Sequence, residues 1–476
     1  MSNAVKTKKP ILDKVASTWG KLEPTLLGLV AAKLPVACRG THGNAKTTIA
    51  KMLARALVDK DFLERTKDTG VRYYSCDKAN YIALGGIPDI EGSKTLGSMA
   101  FIPSKSSVIG PNAKVLILDE LTRAPKDTQN YLLEIIESRT FSGVELSWEA
   151  LIATMNPETY KSAMKLDAAL LDRFAALLPI NSLEDVDAPT LNEMIQTNMS
   201  RTTNPLYDAE IADVLRERIT NTRAQYQKFL EDEEVLERVR GYYEQFCSYA
   251  QSKLTALKDP TQILSGREMA NLLWRSCLAI AAYYVAVQGH TEGEALCTAS
   301  DNVLEYSIIL KHQIQSEMEK TLRVGHREAQ YMLRASTKGE AGKIQMAFAR
   351  AGNTFAKIDF WRSNIDKVVQ HIAVDDATTM IEATLDKLNN LKEEDSKRTD
   401  TDIMRMRAEL WSILKPHTSF APVTDRVEGG IVCQLISTLR KAHVNPMNEP
   451  FKTVFAKATL KASDISDLIV SLTKDK

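Results

Sequence analysis

Over residues 1–180 the apolar positions alternate between runs that suit buried strands and stripes that suit helices. "ILDKVASTWGKLEPTLLGLVAAKL" reads as helices, and "PVACRG" as a short apolar strand ending in glycine. "TTIAKMLARALVDKDFL" carries apolar residues at helical spacing, and "VRYYSC" reads as a second strand. "KVLILDE" is almost wholly apolar until its closing acids, the pattern of a central strand buried on both faces. "DTQNYLLEIIESR" predicts an amphipathic helix, "ALIATMN" another buried strand, and "LDAALLDRF" a short helix. Strands alternating with helices predict an α/β fold, a doubly wound parallel sheet with helices on both faces.

From about residue 183 the strand patterns stop and the spacing stays helical. The expected organisation is a core over 1–182, an all-helical lid over 183–315, and a basic helical extension over 316–390. A charged linker follows over 391–402, then a small helical domain over 403–476, where Ser463 is placed to cap a last helix. No internal repeat is present.

The chain has 476 residues and no net charge, so a nucleic acid or an anionic membrane would have to be met by a local patch. Its cysteines (Cys38, Cys76, Cys247, Cys277, Cys297 and Cys433) form no CxxC pair and no ligand spacing with histidine. That argues against a structural zinc or a disulfide framework and fits a reducing cytoplasm. The first residues lack the apolar centre of a signal peptide. "LLWRSCLAIAAYYVAVQG" carries Arg275, is short for a membrane span, and reads as a buried helix. No membrane partner is expected.

Three segments carry chemistry. In "CRGTHGNAKTTIAKMLARAL" a strand passes through a glycine-bearing loop into a helix, as a phosphate-binding loop does. Gly40 and Gly43 would supply the turns, Lys46 the charge for terminal phosphates and Thr47 a hydroxyl for Mg²⁺. Thr41, His42, Asn44, Ala45 and Thr48 complete the expected cradle for ATP. Ala45 stands where a second glycine is usual, and is expected to need only a helical backbone angle. "VLILDE" sets Asp119 and Glu120 at a strand end, where open parallel sheets bind ligands. Asp119 suits the Mg²⁺ shell and Glu120 the activation of a water, although two acids there also suit the cap of a following helix. "IATMNP" ends a strand in Asn156, an amide able to orient that water, or a turn residue before Pro157.

The order "GTHGNAKT", "LILDELTRAP", "ATMNP", "LDAALLDRF" resembles the AAA+ ATPases, and among them the MoxR branch, over about residues 10–310. Alanine before the loop lysine is a habit of that branch and of the related MCM helicases. The resemblance implies that Arg173 is an arginine finger for the neighbouring subunit and that Arg267 is the lid's sensor-2 arginine, touching the γ-phosphate in cis. It implies a homo-oligomer, a hexameric ring, with Arg139 near the subunit boundary. It also implies a β-hairpin inserted within residues 83–110, with Met99, Phe101 and Ile102 at its tip or flank and Lys94 and Lys105 beside them. His42 departs from the proline or small residue common in the loop, and Leu121-Thr122 from the usual Ile-Asn.

The expected function is ATP hydrolysis by a chaperone-like remodeller of a protein client. Two alternatives stay open: a nucleic-acid-dependent motor or loader, and a nucleotide-binding assembly scaffold. The first rests on the alanine loop shared with the MCM helicases and on the basic stretch Lys320–Arg362, where Phe348, Phe355, Phe360 and Trp361 interleave with lysines and arginines. The same stretch equally suits a solvated helix face over an aromatic core, or a dock for an acidic protein partner.

Overall fold

The computed structural model describes residues 9–14, 19–41, 45–58, 60–96, 100–102, 104, 106–157, 166–180, 209–256, 264–334, 340–394, 400–420 and 427. In chain order the strands are β1 (Val36–Gly40), β2 (Val71–Ser75), β3 (Ile87–Asp89), β4 (Ala100–Ile102), β5 (Val115–Asp119), β6 (Thr140–Phe141), β7 (Val144–Glu145), β8 (Ala150–Met155) and β9 (Ala176–Ile180). Five of them form one parallel sheet in the order β2-β5-β8-β1-β9. β8 is buried throughout, and β5 is buried up to its last residue, as their unbroken apolar runs require. β2 lies at the sheet's edge and alternates in burial. β9 was not foreseen: "AALLPI" follows the short helix without a turn signal and includes Pro179, and an edge position is where a strand tolerates proline. Two small antiparallel hairpins, β3–β4 and β6–β7, complete the strands.

The core helices are α1 (Glu23–Ala31), α2 (Lys46–Leu57), α3 (Lys60–Thr66), α4 (Tyr81–Gly85), α5 (Ile90–Leu96), α6 (Lys126–Glu137) and α7 (Ala168–Leu171). Helices continue with α8 (Ala209–Glu231), α9 (Glu233–Ala256), α10 (Leu273–Tyr283), α11 (Glu292–Val303), α12 (Ser316–Ala329) and α13 (Tyr331–Arg334). π-helical segments at Glu268–Leu272 and Tyr284–Gln288 flank α10. Together, Glu268–Gln288 is long and apolar enough to cross a membrane by length and composition. Here α10 packs against α1, α8 and α11, and Ser276 to Tyr283 are all buried, as expected of an interior helix.

A buried ion pair ties this helical layer to the sheet domain. Glu23 on α1 accepts from Arg218 of α8, from the Tyr283 hydroxyl of α10 at 2.6 Å and from the Leu12 N–H at 2.8 Å. The chain divides into two compact units, Met1–Arg334 and Ala335–Lys476, so α12 and α13 fall in the first unit. The second unit contains α14 (Glu340–Arg350), α15 (Thr354–His371), α16 (Val374–Glu394) and α17 (Asp400–Leu414). The helix expected at Ser463 lies outside the described residues.

Candidate nucleotide site

The parallel sheet brings the ends of β1, β5 and β8 to one edge. β1 passes there into the loop before α2, whose first residues are Lys46, Thr47 and Thr48. Lys46 Nζ donates to the carbonyls of Gly40 and Thr41, each at 2.6 Å. Burial lowers the affinity of this amine for its proton, while Cys38 and the carboxylates of Asp119 and Glu120 act the other way. Asp119 closes β5. Its Oδ1 accepts from Thr47 Oγ1 at 3.0 Å and from the Thr154 hydroxyl of β8, and its Oδ2 accepts from the Tyr73 hydroxyl of β2. A carboxylate beside a hydroxyl at a helix start is the hard-oxygen donor set that Mg²⁺ prefers, so these residues fit the metal. Tyr73 and Thr154 escaped the sequence reading; a lone polar residue inside the fully buried β8 was the signal for Thr154.

Glu120 follows Asp119 in a left-handed backbone conformation, φ 56°. Its carboxylate pairs with Arg123 at 2.9 Å, so the expected base is held by a cation its own loop supplies. Asn156 lies one residue past β8 and is buried. Ala45 corrects an expectation: it is left-handed as well, φ 56° and ψ 14°, rather than helical. That conformation costs an L-residue roughly 1–2 kcal/mol, so the alanine keeps the loop at a cost in backbone strain. Gly40 is also corrected. It is a strand residue paired with Ile180, and a Cβ there would come within 2.6 Å of the Ile180 carbonyl oxygen. The close approach of β9, and no turn, requires this glycine. His42, Gly43 and Asn44 lie outside the described residues.

The expected arginines stand at the opposite edge of the sheet. Arg173 sits between α7 and β9, and its Nε and Nη2 donate to Glu137 Oε2 at 3.0 and 2.5 Å. Arg267 pairs with the other oxygen of the same carboxylate. This structure does not bring Arg267 to the chain's own phosphate loop: it joins Arg173 near the start of β1, while Lys46 lies past its end. Five strand residues at about 3.3 Å each separate the two edges by roughly 16 Å. Both arginines line a cavity of about 540 Å³ with Arg139, Arg223 and Arg275. Arg139 lies over the Trp148 ring, 3.9 Å from its centroid, and donates to the Lys33 carbonyl at 2.6 Å. Burial and the nearby Arg275 lower its pKa. Glu137, which ties the two arginines together, was not singled out in the sequence.

Residues 36–174 match the family model of the AAA domain, dynein-related subfamily. Over these residues the chain is similar to an AAA domain. The match runs from the first residue of β1 to the residue after Arg173, so it takes in both edges of the sheet and stops before the lid. No curated protein matches the chain. Among solved structures, a "putative ATPase" from Cytophaga hutchinsonii aligns at 16% identity and a TM-score of 0.42, covering 66% of this chain and 92% of that one.

Within the matched residues the expected hairpin is β3–β4, and its connection contains α5. Phe101 turns inward, with ring centroids 5.1 Å from Tyr81 and 5.8 Å from Phe141. Ile87, Ile90 and Ile102 are exposed, as is Lys94. Met99 and Lys105 lie outside the described residues. The basic stretch Lys320–Arg362 falls in both compact units. Phe348, Phe360 and Trp361 are buried against one another, and Lys357 Nζ is buried 3.7 Å from the Phe348 centroid. These three rings are core and offer no stacking platform; Phe355 is exposed.

Proposed function

We propose that this chain hydrolyses ATP as a MoxR-type AAA+ ATPase, in a ring of like subunits that remodels a protein client. One observation carries the reading. The phosphate loop and its acids occupy one edge of the sheet, and the Arg173–Arg267 pair occupies the other, too far away to serve the same nucleotide. Such an arrangement is completed by a second copy in a head-to-tail contact, and heterologous contacts of that kind form a ring when their rotation closes.

In this reading Lys46 holds the terminal phosphates, and Thr47 and Asp119 hold the magnesium that accompanies ATP. Magnesium, when bound, offsets charge on the phosphates. Glu120, once released from Arg123, accepts a proton from a water oriented by Asn156. Arg173 and Arg267 of a neighbouring copy stabilise charge on the transferring phosphoryl group. The exposed isoleucines of the β3–β4 hairpin support a protein client, because apolar side chains in solvent suit apolar segments of a partner. The hexameric count and the MoxR branch rest on the resemblance in the loop and the "LDELTRAP" segment.

Steady-state turnover tests the base directly. Glu120→Gln should still bind a fluorescent ATP analogue while its turnover falls about 100-fold or more. Wild-type turnover by Glu120→Gln contradicts the mechanism.

A further inference from the structure

Behind the two arginines lies a buried cluster that the mechanism does not use. Lys311 Nζ is 2.5 Å from Glu268 Oε1, and both side chains are almost wholly buried. The same ammonium donates to the carbonyls of Phe174 at 2.9 Å and Asp172 at 3.5 Å. His312 Nε2 stands 2.9 Å from Glu268 Oε1, and Glu268 Oε2 accepts from the Ser265 N–H at 2.9 Å. Asp172, Glu268 and His312 bring ligand atoms within 4.8 Å of one another, a spacing that would suit a metal. The Lys311 ammonium already supplies the cation, so a metal there would have to displace it.

What the cluster holds follows from its place in the chain. Asp172 and Phe174 flank Arg173, and Glu268 follows Arg267. One buried ammonium therefore grips the backbone on both sides of the first arginine and the carboxylate next to the second. Burial by itself would raise the pKa of Glu268, yet the His312 hydrogen bond and the Lys311 charge hold it down to about 2, so it stays ionised.

We propose that Lys311 is a positioning residue for hydrolysis at the neighbouring subunit's nucleotide, locking Arg173 and Arg267 into one rigid unit through Phe174, Asp172 and Glu268. This rests on the ring reading above. It predicts that loss of Lys311 leaves the chain's own phosphate loop intact and damages only what the chain gives its neighbour.

The test compares Lys311→Met with Arg173→Ala in the full chain, each alone and each mixed with Lys46→Ala. Lys311→Met should bind the fluorescent ATP analogue within about twofold of wild type, with kcat down about 100-fold. Mixing should restore turnover, because the Lys46→Ala chain contributes an intact arginine pair to the variant's loop. Lys311→Arg, which keeps the charge, should recover part of kcat. If Lys311→Met does not fold, Lys311→Met with Glu268→Gln removes both charges and is read by the same criteria. Wild-type kcat in Lys311→Met, or no recovery on mixing while Arg173→Ala does recover, overturns the proposal alone. Wild-type kcat in Arg173→Ala overturns the ring reading and the proposal with it.

Discussion

Ala45 and Glu120 share a left-handed backbone at the site, and the two cases differ in consequence. At Ala45 the strain serves only to turn the loop into α2, and glycine would adopt the angle freely. Ala45→Gly is therefore expected to raise unfolding stability by about 1 kcal/mol in urea titrations. Two acids behind the arginines make an opposite pair. Burial and the Glu268 charge raise the pKa of Asp172, despite Lys311, His312 and Arg173 nearby. A carboxylate with a raised folded pKa costs stability once ionised, so Asp172→Asn should stabilise at pH 7 and make little difference once acid has protonated Asp172. Glu268 is the reverse. Its folded pKa of about 2 lies below the usual 4.5, so its contribution is complete above pH 4.5 and fades as pH falls toward 2. Glu268→Gln should cost about 3–5 kcal/mol at pH 7, as expected when one side of a buried pair is removed. Urea midpoints at pH 7 and at pH 3.5 separate the two.

Among the elements, polar contacts join the lid helices to the sheet domain at several points, and the wholly buried Glu23 accepts two of them. Glu23→Ala would leave Arg218 buried without its carboxylate and the Tyr283 hydroxyl without its acceptor. A loss of about 3–5 kcal/mol is expected, read as a lower midpoint of thermal or urea unfolding. The strands that carry chemistry were legible because each is an apolar run that stops at a glycine or a polar residue: "PVACRG", "KVLILDE" and "ALIATMN". β9 was not legible, since its short run follows Arg173 with no punctuation. The angle at Ala45 was not legible either, because side-chain type does not reveal backbone handedness. The site of Arg267 depends on how the lid packs on the sheet, and the helical period of its segment carries no trace of that. Tyr73 and Thr154 reach Asp119 only through strand register, which emerges once the strand order is known.

At the scale of the whole molecule, the division after Arg334 cuts through the stretch that had suggested nucleic acid. Its rings are mostly core, and Arg323 and Arg362 are paired with acids, Arg323 with Glu305 and Glu319 and Arg362 with Asp359 and Glu409. Turnover is accordingly expected to stay within about twofold when single- or double-stranded DNA is added, at low as at high salt. A strong stimulation that salt abolishes would restore the motor reading. In the proposed ring, one chain's acids work with another chain's arginines. Mixing Glu120→Gln chains with Arg173→Ala chains tests it most directly, by steady-state ATP hydrolysis at fixed total protein. Each variant alone should be slowed about 100-fold. An equal mixture should recover up to about a quarter of wild-type turnover, one half times one half, from contacts that pair an intact loop with an intact arginine. A mixture no faster than its separate parts contradicts the account.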